Sequence, residues 1–130
     1  MKIVKTFEDW SSQSFGFQYN PYNDKIEEDL NGLLVEVMDM GIDIKISWIG
    51  IKGFILDFSS NKGFDTELLV EYVLTVEDYI NDKYENLYLF EYKLSPMRKE
   101  DEYYCQLIRG AKKLEVGILV NNLTMSVMRS

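Results

Sequence analysis

Residues 42–48, IDIKISW, alternate without a break: Ile42, Ile44, Ile46 and Trp48 point one way, Asp43, Lys45 and Ser47 the other. Successive side chains of a strand leave on opposite faces, so the run predicts a strand buried on one face and wet on the other. A sheet of that kind needs a second layer on its apolar side. Two segments have the period of covering helices. Between Asp24 and Gly41, Ile26, Leu30, Leu33, Leu34 and Val37 recur at helical spacing, with Asp24 and Glu27 as a capping-box start and Gly41 as the left-handed stop. In DTELLVEYVLTVEDYIND (65–82), Leu68, Leu69, Tyr72, Val73, Val76, Tyr79 and Ile80 gather on one face at about 100° per residue, and Asp65 or Thr66 supplies the cap.

The remaining segments complete the order. KIVKTF forms a short N-terminal strand, and residues 8–23 form an irregular loop whose Trp10, Phe15, Phe17, Tyr19 and Tyr22 cap the core. Gly50 and Gly53 bracket a hairpin turn from the alternating strand into FILDFS. LYLFEYKL (87–94) is apolar on both faces and is expected to be a central strand, with EYYCQLIR as its antiparallel neighbour. EVGILV and LTMSVM flank Asn121-Asn122, a pair suited to a tight hairpin turn. Val116, Val120, Leu123 and Val127 also fit a helical face, but Gly117 and the β-branched residues favour strands. The expectation is one α+β domain over residues 1–130, two helices packed on a mainly antiparallel sheet. Its order, (β)αββαβ plus C-terminal strands, matches a ferredoxin-like split βαβ unit with an extension.

Charge and cysteine usage narrow the setting. With 22 acidic against 14 basic residues the net charge is −8, which repels nucleic-acid phosphates and anionic membrane. No apolar run is long enough to span a bilayer, and MKIVKTFEDW has too short an apolar stretch for a signal peptide. The lone Cys105 has no intramolecular disulfide partner and reads as a small buried hydrophobe, so a reducing, cytoplasmic location is expected. A single alanine and three arginines, beside abundant Ile, Lys, Asn, Tyr and Phe, follow AT-rich coding and suggest an AT-rich bacterium, a phage or a mobile element as the source.

The absence of histidine removes the commonest general base, the Ser-His and Cys-His pairs, and the usual zinc and haem ligands. No phosphate-binding P-loop, dinucleotide fingerprint or EF-hand loop occurs, and no cofactor or resident metal is expected. One acid/base arrangement remains. Asp57 on the second hairpin strand and Glu91-x-Lys93 on the next resemble the Asp…Glu-x-Lys pattern of the PD-(D/E)xK nucleases. The resemblance implies carboxylates on adjacent strands holding Mg²⁺, with the lysine stabilising developing charge. The chain departs from that family in placing a whole helix between Asp57 and Glu91 and in being acidic, so a metal-dependent nuclease is the alternative.

The outer face of residues 65–82 is the more pointed feature. Glu67, Glu71, Asp78 and Asp82 fall within a sector of roughly 60°, with Leu74, and less centrally Val70, projecting among them. The pairs Glu67–Glu71 and Asp78–Asp82 are like-charged at i,i+4 and mildly destabilising, and only Lys83 lies near. An apolar anchor ringed by uncompensated carboxylates suits a cationic protein partner. The reading is therefore a non-enzymatic acidic protein-binding module, an inhibitor, immunity or accessory protein that recognises a basic protein such as a nuclease, toxin or nucleic-acid-handling enzyme. A self-associating assembly subunit is a further alternative, for which Ile49, Ile51 and Ile55 on the polar side of the hairpin speak.

Overall fold

The alternating run becomes strand β2 (Asp43–Ile49), with Ile44, Ile46 and Trp48 buried and Asp43 and Lys45 exposed. The structure, a computed structural model, describes residues 4–5, 21–84, 88–101, 108–109 and 111–129. Around β2 lie β1 (Val4–Lys5), helix α1 (Pro21–Leu33), the short α2 (Val35–Asp39), β3 (Gly53–Asp65), helix α3 (Val70–Tyr84), β4 (Tyr88–Pro96), β5 (Ile108–Arg109) and β6 (Leu119–Arg129). Two 3-10 turns, Thr66–Leu69 and Ala111–Val116, lead into α3 and β6.

The six strands form one sheet ordered β1-β2-β3-β6-β4-β5. β1 runs parallel to β2, and every other neighbouring pair is antiparallel. The fold is thus α+β with a mainly antiparallel sheet. β3 and β4 are both antiparallel to β6, hence parallel to each other, so β3–α3–β4 is a split βαβ unit with the C-terminal strand in its gap. Side-chain parity divides the sheet into two faces. Phe54, Leu56, Phe58, Tyr92, Leu94, Leu123, Met125 and Val127 share the face that α1 and α3 cover, where Ile26, Leu30, Val73, Val76 and Ile80 complete the core. Among the described residues no helix covers the opposite face, an arrangement antiparallel sheets tolerate when that face is polar.

Aromatic donors and carboxylates fasten the layers. Tyr72 and Tyr79 stand seven residues apart on α3, and their hydroxyls donate to Glu36 of α2 (2.6 Å) and Asp29 of α1 (2.5 Å), also seven apart in the opposite sense. Two helical turns on α3 match the span from α1 across the break at Leu34 to α2, which run against it as antiparallel neighbours. Lys83 adds to the second rung, 3.7 Å from Asp29 and 5.5 Å from the centre of the Tyr79 ring. From the sheet, Trp48 donates its indole N–H to Glu27 (2.7 Å) and Tyr92 its hydroxyl to Glu77.

Several expectations are corrected. The first helix starts at Pro21 rather than Asp24, taking residues 21–23 out of the proposed loop, and it breaks at Leu34 (φ −110°, ψ 10°) before α2. Asp24 lies in the first turn, and Gly41 has the expected positive φ of 87°. β4 is not central. Only Tyr92 and Leu94 are buried, Leu89 is 56% exposed, and the middle places of the sheet belong to β3 and β6. Asn121-Asn122 is no hairpin turn. β6 runs straight through, and Asn121 bulges where β4 steps from Ser95 to Pro96 while β6 steps from Asn122 to Val120. Ile108–Arg109 pairs with β4 as expected, whereas residues 6–20, including Trp10, Phe15, Phe17 and Tyr19, and residues 102–107, including Cys105, lie outside the described residues. No described helix is long and apolar enough to cross a membrane.

Candidate partner-binding surface

Asp65 ends β3 in extended conformation (φ −83°, ψ 132°), and its carboxylate accepts the Glu67 amide at 2.9 Å. That bond is the anticipated cap, but what it starts is a 3-10 turn. Residues in such a turn rotate by about 120° rather than 100° each, so Leu68 and Leu69 part company. Leu69 is buried, whereas Leu68 is 55% exposed. Thr66, fully buried, holds the turn in place: its hydroxyl donates to the Leu114 carbonyl (2.8 Å) and accepts the Ile118 amide (3.0 Å), and its own amide donates to the Ile118 carbonyl (3.0 Å). The two 3-10 turns are thereby locked side by side. Gly117, at φ 77°, makes the bend into β6 directly beneath Asp65 and Glu67, where a Cβ would come within 3.3 Å of the Asp65 carboxylate.

The result is a shallow depression of about 840 Å³ where α2 ends and α3 begins. Leu68 and Met40, the latter 48% exposed, form its apolar part. Asp65, Glu67, Glu71 and Glu115 supply four carboxylates, and among the described residues no lysine or arginine lines it. Lys62 lines the adjoining depression, which shares Met40 and Leu68. Tyr72 closes one side, its hydroxyl held by Glu36 and its ionisation pushed above the ordinary phenol range by that bond.

Of the residues singled out from the sequence, Glu67 and Glu71 are exposed at this depression. Asp78 and Asp82 are exposed further along α3, Asp82 about 16 Å beyond Glu71 at 1.5 Å per residue. Leu74 is half-buried and packed against the core, so it is not an exposed anchor; Val70, also expected near the acidic sector, is buried. Leu68, Met40 and Glu115 were missed. The signal for Leu68 was Asp65 itself, since an Asx cap permits a 3-10 first turn; Met40 and Glu115 arrive from distant parts of the chain and leave no local trace.

Asp57, Glu91 and Lys93 rise from the uncovered face, but β6 lies between β3 and β4, so the two carboxylates are not on adjacent strands. Asp57 and Lys93 both stand opposite Thr124, while Glu91 stands opposite Ser126. Two strand spacings and a two-residue offset put the Asp57 and Glu91 backbones about 12 Å apart. Strand side chains stand perpendicular to the sheet, so that separation persists, against about 3 Å between oxygens sharing a Mg²⁺ ion. Asp57 instead accepts the Thr124 hydroxyl at 2.7 Å. Among the described residues no three His, Cys, Asp or Glu side chains gather as a metal-holding group.

Comparison with protein-family models, curated proteins and solved structures finds no match to this chain.

Proposed function

We propose that this chain is a non-enzymatic acidic protein-binding module, an inhibitor or accessory protein, that docks a basic segment of a partner in the depression around Leu68 and Met40. One observation carries the reading: two exposed apolar side chains sit among four carboxylates, and among the described residues no base lines the same depression. Like charges crowded beside exposed apolar surface cost stability in isolation, and both costs fall when a cationic partner covers them. Leucine and methionine provide the desolvated centre, methionine adapting its shape to what it meets. Asp78 and Asp82 extend the negative field along α3 and favour rapid encounter with a cationic surface.

The experiment is a chemical-shift titration of the labelled chain with a synthetic lysine- and leucine-rich helical peptide, repeated with its glutamate-substituted counterpart. Saturable shifts at residues 65–72 and Glu115 with the basic peptide alone support the reading. Equal responses to both peptides, or shifts confined elsewhere, overturn it.

Self-association has its own observation. Ile49, Met128 and Leu89 stand in one row of the uncovered face, on either side of Gly53, with Ile55 in the next row. A near-neutral mixture of Lys45, Asp57, Glu91 and Lys93 adjoins them, so like-charged copies repel least there. Sedimentation tests it: a monomer at millimolar concentration ends this second reading.

A further inference from the structure

A cleft opens at the other end of the molecule, between the start of α1, the end of α3 and the sheet. Side-chain parity decides what lines the gap. On β6 Val127 faces the core, so Arg129, two residues on, leaves from the same face. Its register partner Tyr88 on β4 shares that face with Tyr92. Trp48 and Phe54, flanking the β2–β3 turn, form the floor with ring centroids 5.0 Å apart. Tyr84 meets Tyr88 edge to face at 5.2 Å and makes a wall. Asn23 of α1 closes the opposite side, and Ile51, 80% exposed, stands at the rim. The cleft has a volume of about 370 Å³, in the range of small-molecule sites.

Its chemistry is one-sided. Four aromatic rings provide flat apolar walls. The Trp48 indole N–H is already committed to Glu27, so that residue offers only its ring. The Arg129 guanidinium has no hydrogen bond or ion pair within the described residues, in a chain carrying 22 acids, and the Asn23 amide is equally unengaged. Arg129 is exposed at the strand end, and its guanidinium fork matches a carboxylate in two parallel hydrogen bonds.

We propose that this cleft binds a small planar organic anion, an aromatic carboxylate of about a dozen non-hydrogen atoms, its ring against Trp48 and Tyr88 and its carboxylate on Arg129. The site is independent of the acidic depression, which lies at the opposite end of α3.

An amide chemical-shift titration with 2-naphthoate tests it, run beside 2-naphthamide, which has the same shape without the charge. The expected result is saturable shifts at residues 50–54 and 127–129, with naphthamide at least tenfold weaker. Arg129→Gln should weaken naphthoate binding at least tenfold and leave naphthamide unchanged. This variant keeps the strand end, because Arg129 is held through its backbone amide to the Lys52 carbonyl at 2.7 Å. Lys45→Gln, on the uncovered face, should bind as the wild type does. Lack of saturable shifts, equal affinity for the two probes, an indifferent Arg129→Gln, or shifts mapping elsewhere would each overturn the proposal.

Discussion

Thr66 joins three parts of the chain through one side chain. Replacing it by valine keeps the volume but leaves the buried Ile118 amide without its acceptor and the Leu114 carbonyl without its donor. A stranded buried group costs its desolvation, so Thr66→Val should lose about 2–4 kcal/mol in urea unfolding, while Thr66→Ser should lose under about 1 kcal/mol. Equal losses for the two would show that the methyl, not the hydroxyl, matters. Gly53 makes a harder demand. At φ 153° its ideal Cβ would lie 2.0 Å from the Val127 carbonyl oxygen, which is strand backbone and has nowhere to go. Gly53→Ala should therefore destabilise by more than the roughly 1 kcal/mol that separates the two residues in ordinary contexts. It should also shift amides along β6, and a neutral result would mean that the two strands part easily at this end.

At the scale of elements, the tyrosine–carboxylate rungs give the helix layer two pH limits. Burial and the Asp29 bond raise the Tyr79 phenol, and burial and the Glu77 bond raise that of Tyr92, well beyond the ordinary value of 10. A group whose folded pKa is raised contributes fully below its unfolded value, so their stabilisation persists to about pH 10 and is lost as pH climbs past it. Asp29 is the mirror case. The Tyr79 hydroxyl first, helped by Lys25 and Lys83, holds it below its usual range against the opposing effect of burial, so its contribution is present above about pH 4 and fades as pH falls further. Tyr79→Phe should flatten both limbs of a stability–pH curve, whereas unchanged limbs would detach the rung from both. The elements themselves were legible to different degrees. β2 and the buried stripe of α3 followed from local periodicity alone. Asn121-Asn122 misled because its turn chemistry is local, while β3 and β4 pair with both sides of β6 and hold it extended. The acidic site was half legible for the same reason. Glu67 and Glu71 announce themselves by spacing, but the exposure of Leu68 depends on a 3-10 turn pinned by Thr66 to residues about fifty positions away.

Among the described residues the molecule presents one largely polar sheet face that no described helix covers and two unlike ends of a helix layer, one acidic with exposed Leu68 and Met40, the other aromatic with Arg129. Its net charge of −8 disfavours nucleic-acid and anionic surfaces and favours cationic ones. Charge-driven docking should weaken with ionic strength, since exposed charges are screened beyond about 8 Å at physiological salt. Leu68→Asp should abolish docking without unfolding, because Leu68 is already exposed, while a similar loss from Leu74→Ala would carry a stability change. The most direct measurement is affinity capture from source-cell lysate at low and high salt, with tagged wild type beside a Glu67→Lys, Glu71→Lys, Asp78→Lys variant. The account predicts an identifiable basic protein held by wild type, released by salt and missed by the variant, with contact shifts at residues 65–72. Capture of the same proteins by both baits, or of none, would contradict it and return the acidic face of α3 to solvent.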